Sequence, residues 1–363
     1  AILTQDSWGC APLHQQDYRT RSMAADFFLL LYLLWLSLSC AHPIVEDDDI
    51  CLLQSKMEST KNGVDKVVAE KVARVSLPAE RGPPCKPAQA SVLQSLGGAS
   101  NLSSNLSLPS SREPGAEQLA LHESRKAELE ALTAKGIEFI FYGDSITELW
   151  RETSLGKPCS LVNSLVTCDG NMETFHKFFG ISAIMAVAGD TTADLLWRLE
   201  NGEAPLQQPR AILLHIGINN LYEAPGFAKF LNPISMRVLS EDELPFHGEE
   251  YKRLADSVYI NIEAVVRKLL MVCQVPVVLT ALFPTGFLWP AGPYGKTIPR
   301  VNALLNDLAS VNAQRLRVID CSTAVLNTSS NKIDPVLMPD FLHPSPQGME
   351  RWAECMSRAL QSI

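Results

Sequence analysis

The sequence predicts an α/β protein built on a parallel sheet with helices covering both faces. From residue 118 onward, short and nearly continuous apolar runs alternate with longer helical patterns. Strands buried on both faces read as unbroken apolar runs, and parallel pairing requires a crossover between them. The polar clusters fall just after the apolar runs, at the edge where such sheets place their ligand crevice.

A charged helical stretch at residues 119–133 ends at Gly136 and feeds a first strand at 137–142. Further strand-like runs follow at 183–187, 211–216, 276–282 and 316–320. Helical patterns occupy 192–200, 249–272, 301–311 and 347–360. Short continuous apolar runs and the 3.6-residue period are the signals for the two element types.

The preceding residues read differently. From Met23, Asp26 is followed by the twelve-residue, largely apolar stretch 27–38 and then Ser39-Cys40-Ala41. That is too short to span a bilayer comfortably, and the small residues suit a signal peptidase, so cleavage is expected before His42. An uncleaved anchor or a buried helix is the alternative. Residues 1–22 read as translated leader or as part of an incomplete gene model. Residues 42–117 read as a flexible region, with a Pro-, Ser-, Gly- and Ala-rich linker from about 76. The folded domain is expected over 118–363. N-glycosylation acceptors stand at Asn101, Asn105 and Asn327, and with the signal they predict a secreted glycoprotein with no stable membrane span.

Composition narrows the chemistry. A formal charge of −9 argues against a nucleic-acid partner and disfavours an anionic polymer substrate. Beyond the expected cut lie Cys51, Cys85, Cys159, Cys168, Cys273, Cys321 and Cys355, with no CxxC pair and no zinc-ligand spacing. No metal and no cofactor are expected. In an oxidising compartment Cys159 and Cys168 are the natural local disulfide, while Cys273, inside an apolar run, reads as a free core thiol.

Four polar clusters follow strand ends: Gly143-Asp144-Ser145-Ile146, Gly189-Asp190, Gly217-Ile218-Asn219-Asn220 and, before the final helix, Asp340-Phe341-Leu342-His343. A strand-to-helix turn exposes the Ser145 hydroxyl in the crevice and aims backbone N–H groups at developing negative charge. A serine hydroxyl needs a base, for which His343 is the best-placed imidazole, and Asp340 three residues earlier can orient that ring. The N–H groups of Ser145 and Gly189 and the Asn219 amide can serve an oxyanion. Asp144, Asp190 and Asn220 read as hydrogen-bonding supports. Each cluster alone is more often a turn, a cap or a structural histidine. Their joint placement at one sheet edge favours a site.

These clusters resemble the four blocks of the SGNH, or GDSL, hydrolases, which contribute Ser, Gly, Asn and His in this order. The resemblance covers residues 137–361. Within that family the sequence is similar to the catalytic subunits of platelet-activating-factor acetylhydrolase type Ib. Gly189-Asp190-Thr191-Thr192, Leu196-Trp197-Arg198-Leu199, Asn201-Gly202-Glu203 and Asp340-Phe341-Leu342-His343 carry that likeness. The resemblance implies a flavodoxin-like three-layer α/β/α sandwich, with Ser145, Gly189, Asn219, Asp340 and His343 in the family's catalytic and oxyanion positions. Ile218 departs from the group's usual Thr, and residues 151–180 and 222–250 read as insertions beside the crevice. The expected activity is hydrolysis of a small acyl ester, such as an acetyl ester, through an acyl-serine intermediate. The alcohol is left open among lipid, carbohydrate and small metabolite, as is the oligomeric state. The rival expectation is a secreted carbohydrate- or lipid-binding protein that keeps the fold without turnover.

Overall fold

The computed structural model describes residues 84–85, 115–159, 165–227, 246–361 and 363, all within one compact unit, Pro78–Ile363. The expected signal segment, Cys51, Asn101 and Asn105 lie outside the described residues.

Five parallel strands form the central sheet: β1 (Phe139–Gly143), β2 (Ala183–Ala186), β3 (Ala211–His215), β4 (Val277–Thr280) and β5 (Leu316–Ile319). Their spatial order is β2-β1-β3-β4-β5. Every residue of β1 to β4 is buried, which is why these strands read as continuous apolar runs. Phe141 of β1 pairs with Ile184 on one side and Leu213 on the other.

The helices are α1 (Ala116–Thr133), α2 (Ser145–Glu148), α3 (Asn171–Phe179), α4 (Thr192–Arg198), α5 (Ile218–Tyr222), α6 (Glu249–Val272), α7 (Pro293–Val311) and α8 (Pro346–Leu360). The chain steps outward from β1 to β2, then returns past β1 to β3, β4 and β5. Right-handed crossovers therefore put α3 on one face and the later crossover helices on the other. The packing agrees, since α8 lies against α3, whereas α6 lies against α4 and α7. This is the three-layer α/β/α sandwich expected, and its single reversal of strand order places a crevice between the carboxyl ends of β1 and β3. Local chemistry starts the helices: Thr191 and Asp194 form a capping box on α4, and Ser345 caps α8 ahead of Pro346.

Three expectations need correction. Residues 151–180 are more than an insertion, because α3 within them is the crossover helix that any parallel β1–β2 pair requires. The helix expected from 301 begins at Pro293 and carries Pro299 inside it, and that proline is what hides its first turns in the sequence. Cys273 is buried but not free. It is bonded to Cys85, 188 residues away, a partner that no local pattern reveals. Cys85 N–H also donates to Leu206 C=O at 3.2 Å, so the stretch read as linker is fastened to the domain at this point. The local pair Cys159–Cys168 is formed, and Cys321–Cys355 ties the end of β5 to α8.

Candidate active site

At the end of β1 the backbone has to turn within one residue into α2. A Cβ at Gly143 would collide with Thr147 Oγ1 and stand 2.6 Å from His215 C=O, so only glycine lets β1 and the turn pack this closely. Asp144 then caps α2, its Oδ1 accepting Ile146 N–H at 3.1 Å. Ser145 is the first helical residue.

The loop after β5 brings the remaining acid–base groups to that serine, across 198 residues of sequence. His343 Nε2 lies 3.0 Å from Ser145 Oγ, and His343 Nδ1 lies 2.7 Å from Asp340 Oδ2. An ionised Asp340 only accepts, so Nδ1 carries the proton and Nε2 is left to accept from the Ser145 hydroxyl. Asp340 Oδ1 accepts the backbone N–H groups of Leu342 at 3.0 Å and His343 at 2.7 Å. Burial pushes the Asp340 carboxyl up, but the His343 hydrogen bond and charge, with these N–H groups, outweigh it and hold it below its usual range. Phe341, between the two, sits at φ 61°, a left-handed conformation that costs a phenylalanine about 1–3 kcal/mol. Gly286 N–H holds that turn through Phe341 C=O at 2.8 Å.

The expected oxyanion residues Gly189 and Asn219 follow the ends of β2 and β3. Gly189 has φ 85°, and a Cβ built there would meet nothing within 4 Å, so the position faces open space. Asn219 Nδ2 donates to Asp190 C=O at 2.9 Å, which leaves its second N–H for another acceptor. Asn220 clips the two blocks together: its Oδ1 accepts Thr192 N–H at 3.1 Å and its Nδ2 donates to Thr192 Oγ1 at 3.0 Å. Asp190 turns inward to Arg198, whose Nη2 lies 2.6 Å away. The fully buried Asp144 carboxyl is pushed up to about 7 by desolvation, against the pull of Ile146 N–H and the His343 charge.

Two buried groups were given no role in the sequence. Glu148, on the same short helix as Ser145, accepts Ala188 N–H at 2.6 Å, Gly156 N–H at 2.8 Å, Thr153 Oγ1 at 2.9 Å and Leu155 N–H at 3.1 Å. It thereby ties the serine's helix to the residue before Gly189. The second is the set His122, Arg198 and Glu203, each no more than 3% exposed. Charged residues embedded among apolar neighbours, three positions after Ser145 or within the α4 pattern, were the available signal.

Among the described residues no group of three or more His, Cys, Asp and Glu side chains is arranged to hold a metal ion, and no helix is long and apolar enough to cross a membrane.

The profile of the GDSL-like lipase/acylhydrolase family matches residues 141–351, more than half of the chain, and the protein belongs to that family. Its class is accordingly that of a carboxylic ester hydrolase. Over 83 residues it is 29% identical to the alpha1 subunit of platelet-activating factor acetylhydrolase IB from Rattus norvegicus, covering 23% of this chain and 28% of that one. The match thus spans little more than a quarter of that relative's length, and the same holds for the Bos taurus subunit. Similar solved structures include a GDSL-like lipase from Bacteroides thetaiotaomicron, 18% identical over 67% of this chain and 98% of that chain, TM-score 0.45. Another is the acetylxylan esterase Axe2 from Geobacillus stearothermophilus, 18% identical over 62% of this chain and 94% of that chain, TM-score 0.41.

Proposed function

We propose that the chain is a secreted serine esterase that hydrolyses a small acyl ester, an acetyl ester foremost, through an acyl intermediate on Ser145. The observation that carries this reading is the continuous hydrogen-bonded series Ser145 Oγ, His343 Nε2, His343 Nδ1 and Asp340 Oδ2, with steps of 3.0 and 2.7 Å. His343 takes the serine proton as the hydroxyl attacks the ester carbonyl, then returns it to the departing alcohol. Asp340 orients the ring and stabilises imidazolium. The tetrahedral oxyanion is served by the N–H groups of Ser145 and Gly189 and by the Asn219 amide. Water then repeats the sequence on the acyl-enzyme. The acetyl preference rests on the likeness to the acetylhydrolase subunit.

The fold of 118–363 forms the hydrolase domain, preceded by a cleaved signal and a glycosylated region. Three disulfides among the described residues support an oxidising compartment. Exposed Asn327, on the short hairpin after β5, is accessible to a glycosyltransferase. Protein recovered from the medium of a eukaryotic host is expected to begin near His42 and to carry glycans at Asn101 and Asn105, as read by mass spectrometry.

The deciding experiment is labelling with a fluorophosphonate and hydrolysis of acetylated aryl, sugar and phospholipid esters. Rapid labelling of Ser145 and turnover of at least one ester are expected. A folded protein that neither labels nor turns over any of them, yet binds a carbohydrate or lipid, would return the function to a binding role.

A further inference from the structure

The residues that form the expected oxyanion hole come from three separate strand ends, and nothing in a parallel sheet by itself fixes their relative heights. We propose that Arg198 is the positioning residue that fixes them, holding the Gly143 turn, the 187–190 loop and, through that loop, the Asn219 amide in one frame. This inference rests on the esterase reading given above.

Arg198 leaves the last turn of α4 and is 3% exposed. Its Nε donates to Asp190 Oδ2 at 2.8 Å, and Nη2 lies 2.6 Å from the same oxygen. Nη2 also reaches Gly143 C=O at 3.4 Å, and Nη1 reaches Met185 C=O at 3.3 Å and the Glu203 carboxylate. One planar cation therefore touches the residue before Asp144-Ser145, strand β2, and the residue after Gly189. Asp190 in turn presents its C=O to Asn219 Nδ2 at 2.9 Å, so the third donor is referenced to the same group. The guanidinium is itself immobilised from behind. Glu203 accepts from His122 Nδ1 at 2.7 Å, and Tyr142 O–H donates to Glu203 C=O.

Stability alone is a weak reason for this arrangement, since well-packed apolar side chains often replace a buried ion pair without loss. What an apolar side chain cannot do is hold several acceptors at fixed angles. The guanidinium fork does so, and the point charge of lysine does not.

The test uses the full secreted chain and its Arg198→Lys, Arg198→Met and Asp190→Asn variants. For each, kcat and KM are measured on one aryl ester, active sites are titrated to completion with a fluorophosphonate, and the thermal midpoint is recorded. Loss of one oxyanion donor lowers kcat by roughly 10²- to 10³-fold. Arg198→Lys and Asp190→Asn are therefore expected to lower kcat per titrated site by about 10- to 10³-fold with KM nearly unchanged, Arg198→Lys retaining more than Arg198→Met. A purely structural role would lower the midpoint and the titratable fraction but leave kcat per titrated site within about twofold of the parent, and that result overturns the proposal. If Arg198→Met does not fold, Asp190→Asn, close to isosteric, decides. Parent protein that neither labels nor hydrolyses overturns the esterase reading and this inference with it, whereas active parent with unaltered variants overturns this inference alone.

Discussion

The end of β3 and the loop before α8 each present a histidine near the carboxyl edge of the sheet, and their surroundings make them opposites. His215 is 2% exposed, packed between the rings of Phe283 and Trp352, with Nδ1 2.7 Å from Thr280 Oγ1 and no partner for Nε2 among the described residues. Burial pushes its pKa down to about 4, so it is neutral at pH 7. His343 is partly exposed, with a carboxylate on one nitrogen and a hydroxyl on the other. An imidazole serves as a base only when the proton it gains is stabilised and can leave again. His343 has a partner on each nitrogen and His215 has none on Nε2 among the described residues, although both are the same residue on the same scaffold.

The largest effect expected from this contrast is on turnover. Ser145→Ala and His343→Ala should each lower kcat by roughly 10⁴- to 10⁶-fold, and the double variant should fall little further, because one relay acts as a unit. His215→Asn should leave kcat within a few-fold of the parent. Steady-state kinetics on an aryl ester, with thermal unfolding to establish folding, makes this comparison, and equal losses at the two histidines would break it. Next comes Asp340→Asn. It should retain about 10- to 100-fold more turnover than His343→Ala, because the carboxylate orients and stabilises the ring without carrying the proton itself. A greater loss at Asp340 than at His343 would reverse the roles.

A third expectation concerns stability. A histidine whose folded value is about 4, against 6.5 when unfolded, binds its proton more weakly in the native state. Its destabilising effect is absent above pH 6.5, grows as pH falls through that value and is complete below pH 4, where it reaches about 3 kcal/mol. Asp144, raised to about 7, works in the opposite sense, costing stability as pH rises from 3.8 toward 7. The measurement is therefore the difference in denaturant stability between parent and His215→Asn, followed from pH 7 to pH 4. A difference that does not change over that interval would show that His215 is not held neutral. Smallest is Thr280→Val, which removes the His215 Nδ1 partner and should cost about 1–3 kcal/mol at pH 7 with no change in kcat.

Much of this fold is legible in the sequence because its information is local. Continuous apolar runs follow from burial of β1 to β4 on both faces, and the clusters at 143–146, 189–190, 217–220 and 340–343 follow from a crevice at the strand ends. Even the Asp340–His343 pairing is local, since it spans a single turn. Other features depend on partners far away in the chain. Cys273 looks like a free thiol until Cys85 is brought to it, and the partners of Arg198 show only when Asp190, Glu203 and Gly143 C=O close around it. The sequence by itself determined the element types, the sheet edge that carries the polar clusters and the candidates for nucleophile, base and orienter. Only the tertiary structure decided the distances between Ser145 and His343, the long-range thiol pairs and the partners of the buried charges. Periodicity reports the environment of a residue relative to its neighbours in sequence, whereas these choices depend on approaches to within about 3 Å between segments that only the folded sheet brings together.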